Sequence, residues 1–270
     1  PATTTSLAAL NDSSIVVAAA DSDGLLTVFD EFGKTTRKIG NLKPLETQDV
    51  AQNRFLNAGK VTVNQLGDIY YVSTYSPTPT VQKFSKQGVL LQEFVVEGAT
   101  VELQLKRANE FLRQRKLGCV GGYFVIRTAT VDPITGHLWI GINGLSESGA
   151  IRQESGVLYE YNSDGEKIAE YALTIASPSG ERQVITDVKD IAINASQAYL
   201  LTSQGKVYHF DINQRSAVTP KEPEVREFSL TSFVRMVTSK FSPTVSAQLP
   251  CPPAVSYSCS SNCPAGSTPV

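Results

Sequence analysis

The residues best suited by type to covalent chemistry are the cysteines. Cys119 stands alone, and Cys251, Cys259 and Cys263 crowd the tail CPPAVSYSCSSNCPAGSTPV. A zinc site would need paired short spacings or histidine partners, and neither His137 nor His209 lies near them in sequence. No CxxC redox pair and no CxxCH haem motif occurs. Two disulfides in an oxidising compartment is the preferred reading, with free thiols as the alternative. Four cysteines allow three pairings, and spacing does not choose among them. Asn11-Asp-Ser and Asn194-Ala-Ser match the glycosylation triplet, which also arises often by chance.

Other chemistry has few carriers. The chain holds no GxSxG, HExxH, Walker-type loop or dinucleotide fingerprint. His137 follows the turn residues Thr135-Gly, and His209 precedes a turn aromatic; both are ordinary strand positions. Asp21-Ser-Asp23-Gly24 matches the start of a calcium loop but lacks the third ligand pair and the closing Glu, so a hairpin turn is expected there. Asn162-Ser-Asp164-Gly165 reads the same way. The expectation is no catalytic residue, no metal and no cofactor.

Composition narrows the class further. Hydrophobic residues make up 41% and charged residues 19%, which separates the chain from disordered sequences. No apolar run approaches the roughly 18 residues of a spanning helix. A net charge of −2 argues against nucleic acid as a partner. The sequence opens on Pro1 without a Met-plus-apolar leader, as expected where a signal has been removed or where the chain starts inside a longer protein.

The elements that must position these residues follow a repeated grammar. An apolar run ends in Asn or Asp at Leu7–Asn11, Val61–Asn64, Ala129–Asp132 and Ile191–Asn194. After a turn come Ile15-Val-Val-Ala, Ile69-Tyr-Tyr-Val, Leu138-Trp-Ile-Gly and Ala198-Tyr-Leu-Leu. A third run closes on Phe29-Asp30, Phe84-Ser85, Tyr161-Asn162 and Phe210-Asp211. Gly33, Gly88 and Gly165 then open a fourth run, for which the last copy substitutes Gln214 and a Pro-containing loop before Val225–Leu230. Polar residues followed by glycine supply the turns of antiparallel hairpins, and alternation buries strand faces. A lone four-stranded sheet cannot cover both its faces, so neighbouring copies must stack.

Asp68-Ile-Tyr-Tyr-Val and Val81-Gln-Lys-Phe-Ser-Lys-Gln-Gly88, after an apolar run ending in Asn, resemble the NHL-repeat family of β-propellers and its six-bladed relatives. The resemblance covers about 7–39, 61–96, 129–173 and 188–230, and implies an all-β propeller of four-stranded antiparallel blades. It implies either a protein-binding module or, as the alternative, a calcium-dependent lactonase or lyase. In the lactonase-like relatives acids from several inner strands converge on an axial calcium. Here Asp187, Asp190 and Asp132 are the available acids, and the first two blades offer no match. Structural solvation accounts for them better.

Two long insertions, 41–58 and 98–124, share an echo, Asn53-Arg-Phe-Leu56 and Asn109-Glu-Phe-Leu112. Val101, Leu105, Ala108 and Leu112 share one helical face ringed by Lys106, Arg107, Arg113, Arg115 and Lys116, which predicts a helix over 101–116. It covers a sheet edge or, as the alternative, docks a partner or an anionic surface, the first being the better account. The loop Gly144–Ser155 is a candidate recognition loop, and Phe233–Val237 a candidate strand of a closing blade. The expected organisation is a propeller over 1–240 and an extended Pro/Ser/Cys-rich tail or linker over 241–270. The expected function is that of a secreted or cell-surface binding and assembly protein. Its partners would be other protein chains, copies of itself among them.

Overall fold

Polar turns punctuate the chain and set its strand order. The Asp30 carboxylate accepts the N–H groups of Phe32 and Lys34 at 3.0 and 2.9 Å, and Gly33 follows at φ 77°. Asn162 repeats this with Asp164 and Glu166 at 3.0 and 2.9 Å, and Ser85 repeats it with Gln87 and Val89. Gly88 and Gly165 hold the same left-handed backbone, at φ 90° and 74°. The strand register slips at each of these hairpins, beside Phe29, Phe84 and Tyr161, as expected where a glycine-ended loop makes a bulge.

The structure, a computed structural model, describes residues 6–19, 24–45, 49–75, 77–114, 119–144, 156–176, 182–194, 197–212, 225–227 and 255–259; for Cys119, Ala176, 182–183 and the last two segments it describes the backbone alone. Blade one comprises β1 (Ser6–Ala9), β2 (Ile15–Ala18), β3 (Leu26–Phe29) and β4 (Thr35–Ile39). Helix α1 (Val50–Leu56) leads to blade two, β5 (Gly59–Val63), β6 (Ile69–Ser73), β7 (Thr80–Phe84) and β8 (Leu90–Val95). Helix α2 (Ala99–Gln114) and β9 (Cys119–Tyr123) precede blade three, β10 (Thr128–Val131), β11 (Leu138–Ile142), β12 (Val157–Tyr161) and β13 (Lys167–Ala172). A hairpin, β14 (Thr174–Ala176) and β15 (Arg182–Val184), connects to blade four, β16 (Asp190–Asn194), β17 (Gln197–Leu201) and β18 (Val207–Asp211). β19 (Val225–Glu227) and β20 (Val255–Cys259) follow.

Each blade is an antiparallel meander, and the inner strands pack in the order β1, β5, β10, β16, which is the arrangement of a β-propeller. Among the described residues the fold is mostly β, with α1 and α2 its only helices. Successive side chains along a middle strand serve different cores. In β6, Ile69 and Tyr71 pack toward blade one, while Tyr70 and Val72 pack toward blade three. In β11, Leu138, Ile140 and Ile142 join that same second core, and Trp139 turns to the core shared with blade four. Strands β6, β11 and β12 are therefore buried at every position. Each Val, Leu or Ile among them contributes about 1.5–3 kcal/mol of burial.

Two segments depart from the expected placement. The run at Val225 does form a strand, but β19 pairs in parallel with β13 on the edge of blade three instead of completing blade four. That outer edge otherwise carries unpaired backbone groups, which a returning strand satisfies. In the tail, β20 pairs antiparallel with β9 of the same chain. The candidate strand Phe233–Val237 and the rest of the tail lie outside the described residues.

Candidate functional site

Three regions hold the chemistry-bearing side chains: the seam of inner strands, the helical cap and the outward faces of the terminal blades. Hydroxyls lace the seam. Ser6 Oγ donates to Val61 O at 3.3 Å and accepts from Val61 N–H at 3.2 Å. Thr62 Oγ1 accepts from Val131 N–H at 3.2 Å, and buried Thr128 donates to Asp190 Oδ1 at 2.6 Å. Each bond joins one blade to the next.

The acids singled out in sequence are brought to separate tasks. Asp187 accepts from the Ser203 N–H at 2.6 Å and from Ser203 Oγ at 2.8 Å, closing the β17–β18 turn. Asp132, buried, accepts from Ile134 N–H at 3.0 Å and from Thr135 Oγ1 at 2.7 Å in the β10–β11 turn. Asp190 holds Thr128. Among the described residues no three His, Cys, Asp or Glu side chains gather as a metal site. Asn162-Ser-Asp164-Gly165 is a hairpin turn, as read from sequence, and residues 21–23 of the other calcium-like stretch lie outside the described residues.

The two histidines differ. His209 stacks on Tyr199 with ring centroids 4.9 Å apart. His137 Nδ1 lies 2.8 Å from Glu160 Oε1, and Tyr171 OH donates to Glu160 Oε2 at 2.6 Å. Sequence reading passed over Glu160, although a carboxylate between Tyr159 and Tyr161 in an apolar run must find partners once buried. Other charges tie blades together near the turns. The Asp12 carboxyl is held well below the usual range by its hydrogen bond from Ser14 and then by Lys86, whose Nζ lies 3.1 Å away. Burial raises the Tyr71 hydroxyl, which donates to Asn57 O. Asn11, on the same rim, donates its Nδ2 to Gln65 O at 2.7 Å, the nitrogen a glycan would occupy. Asn194 is exposed at the end of β16.

At the opposite end lies the cap. The helix predicted over 101–116 is α2, with Val101 and Ala108 buried and Leu105 and Leu112 packed against apolar clusters. The sequence echo has a structural meaning that spacing alone did not supply: Phe55, Leu56 and Leu112 meet in one cluster with Tyr75 and Phe124. Strand β9 packs against both helices, so closely that a Cβ on Gly122 would stand 2.9 Å from Phe55 Cε1. Buried Gln52 of α1 grips Gly121 with its amide, Nε2 donating to Gly121 O at 2.7 Å and Oε1 accepting Gly121 N–H at 2.9 Å. The backbones of Cys119 and Cys259 stand directly opposite each other across β9 and β20. Cys251, Cys263, most of the loop Gly144–Ser155, and Arg115 and Lys116 lie outside the described residues.

Among the described residues, the terminal blades leave apolar side chains exposed on their outward faces. Blade one turns Leu7 (66% exposed) and Ile15 (42%) away from blade two. Blade four turns Tyr199 (38%) and Val207 (64%) away from blade three. These faces were not anticipated from sequence, because alternation looks the same in a blade with one neighbour as in a blade with two.

Fold and contacts thus define a four-bladed, propeller-like scaffold. No protein-family model matches the chain, and no curated protein matches it either. Among solved structures it is similar to the computationally designed Ika4 protein, at 13% identity over 78% of this chain and 92% of that one, with a TM-score of 0.41. It is similar also to Sqt1 of Saccharomyces cerevisiae, at 14% identity over 76% and 43% of the two chains, with a TM-score of 0.39. A streptogramin B lyase is similar at 12% identity over 79% and 70%, with a TM-score of 0.30.

Proposed function

We propose that this chain is a secreted or cell-surface binding and assembly protein, an NHL-repeat-like propeller over 1–240 with a disulfide-bearing tail over 241–270. It works through contacts with other protein chains, copies of itself among them. The observation that carries this reading is the open apolar face of blade one. A sheet with Leu7 and Ile15 exposed on one side, in a fold whose two middle blades are covered on both faces, is built to be covered. The occupant of matching architecture is the outward face of blade four on a second copy, where Tyr199 and His209 stack beside Val207. Such a contact joins different surfaces of the two copies and grows into a ring or filament.

The test is light scattering of the full chain against Leu7→Ser/Ile15→Ser. The expected result is a multiple of the monomer mass for the parent and the monomer mass for the variant, with unchanged far-ultraviolet circular dichroism. A parent that runs as a monomer at high concentration, with no cross-linked partner from its native source, overturns the reading. Intrinsic hydrolase activity is not expected. Calcium-dependent turnover of lactones or esters, abolished by Asp187→Asn, would put the lactonase or lyase alternative first.

A further inference from the structure

The tail strand and the cap strand face each other cysteine to cysteine. The register pairs Cys119 with Cys259, Gly121 with Tyr257 and Tyr123 with Val255. Gln52 decides which of these pairs are hydrogen-bonded across the strands. Its amide takes both the N–H and the C=O of Gly121, at 2.9 and 2.7 Å. The N–H and C=O of one strand residue point to the same edge, so Gly121 gives both to α1 and neither to β20. Gly121 and Tyr257 are therefore a non-hydrogen-bonded pair. The alternation has a period of two residues, so Cys119 and Cys259 share that phase.

This is the close phase of an antiparallel ladder. Its Cα atoms stand about 4.5 Å apart, against about 5.5 Å for the hydrogen-bonded pair. A disulfide spans Cα separations of about 4.4–6.8 Å but needs Cβ atoms only about 3.5–4.5 Å apart, which the close phase approaches and the wide phase misses. Directly opposed residues also stand on one face of the pair. A slip of one residue would remove every one of these conditions.

We propose that Cys119 and Cys259 form a disulfide that staples the tail to the cap, leaving Cys251 and Cys263 as the other two thiols of the tail. The oxidant is a small disulfide such as oxidised glutathione. One cysteine thiolate attacks it, its S–S bond breaks, and one glutathione thiolate leaves. The second cysteine thiolate then attacks the protein sulfur of the mixed disulfide and expels the other glutathione thiolate. The two protein thiols lose two protons and two electrons, and the two glutathione thiols gain them. Reduction releases β20 and uncovers an edge of β9, whose other side stays bound to Gln52. The staple makes that edge redox-gated.

The sequence makes the staple easy to read. Trypsin releases 117–127, carrying Cys119, and 241–270, a stretch without Lys or Arg that carries the other three cysteines. The purified full chain is equilibrated in a glutathione redox buffer, alkylated and digested without reductant. The expected product is these two peptides linked, with fragmentation placing the link on Cys259. A free alkylated Cys119 in the oxidised protein, or a link from Cys119 to Cys251 or Cys263, overturns the proposal. In a second measurement, Cys119→Ser is digested in the native state with chymotrypsin, which cuts after Tyr257. Cleavage there is expected to be at least ~10-fold faster than in the oxidised parent, and an unchanged rate overturns the staple. Neither readout depends on assembly through the blade faces, which light scattering reports separately. Protein from its native source with every thiol free, which still forms this link first in glutathione, counts against the secreted setting and for the staple.

Discussion

Blades one and three share a strand order, a turn chemistry and a bulge, and they differ in what lies against their faces. Blade three is enclosed. Trp139 stacks on Tyr171 at 5.3 Å toward blade four, Ile140 and Tyr159 are buried toward blade two, and even Glu160 is buried, bonded to His137 and Tyr171. Blade one packs Val16, Leu26 and Val28 against blade two and leaves Leu7 and Ile15 to solvent. The same local pattern thus yields a core layer in one place and an interface in another, and the difference lies in the neighbours.

The sharpest way to break that contrast is to truncate one residue in each blade. Trp139→Ala is expected to lower the stability to urea unfolding by about 3–5 kcal/mol, through lost burial and the cavity left behind. Ile15→Ala on the open face is expected to cost less than about 1 kcal/mol in dilute solution. An equal cost at Ile15 would mean that the face is covered within the monomer, and the argument for assembly through it would fall with it.

Much of the fold was legible because turns and alternation are local. Asp30, Ser85 and Asn162 announced their hairpins through the glycine three residues on, and the apolar runs around Tyr70 and Trp139 announced strands. Helix α2 was legible from its apolar face. Three features were not, each because it depends on contacts distant in sequence. Helix α1 is short, and its stability rests on the Asp49 cap and on Gln52 reaching a strand 69 residues away. The parallel docking of β19 depends on a free edge in another blade. The opposition of Cys119 and Cys259 spans half the chain, so spacing could name the cysteines but not pair them. As to the site, sequence singled out Asp132, Asp187 and Asp190 as the available acids, and it had no means of seeing that Ile134, Ser203 and Thr128 would bond to them.

Acid titration sharpens the comparison at a smaller scale, at the tie between blades one and two. The Asp12 carboxyl sits below its ordinary range in the folded chain, so folding favours its charged form. Its contribution is complete above the ordinary carboxylate pKa of about 4 and is lost as pH falls toward the lowered folded value. Both partners are partly exposed, so the effect is that of a surface pair, about 0.2–1 kcal/mol. Melting temperature measured from about pH 5 to pH 2 is expected to fall further in the parent than in Asp12→Asn. Equal falls in the two proteins would show that the Lys86 contact does not help to hold blade one against blade two.

The smallest expected effect comes from the same turn and tests whether blade one follows the repeat at the level of single dihedrals. Leu10 N–H bonds Ser14 O at 2.8 Å, and Asn64 N–H bonds Asp68 O at 3.1 Å, so Ser13 is the counterpart of Gly67. Ser13 has φ 65° and Gly67 has φ 85°, both in the left-handed region. A side chain there costs roughly 1 kcal/mol or more, while glycine adds roughly 0.4–1 kcal/mol of freedom to the unfolded chain. The difference favours glycine, so Ser13→Gly should raise stability by about 0.5 kcal/mol, or the melting temperature by about 1–2 °C. Gly67→Ser should do the opposite by a similar or larger amount, because it adds the strain where the repeat avoids it. The Ser14 and Lys86 hydrogen bonds to Asp12 do not involve the Ser13 side chain, so they stay in place in the variant. If Ser13→Gly instead destabilises the protein, the first turn does not share its geometry with the second, and blade one departs from the repeat in its backbone as well as in its exposed face.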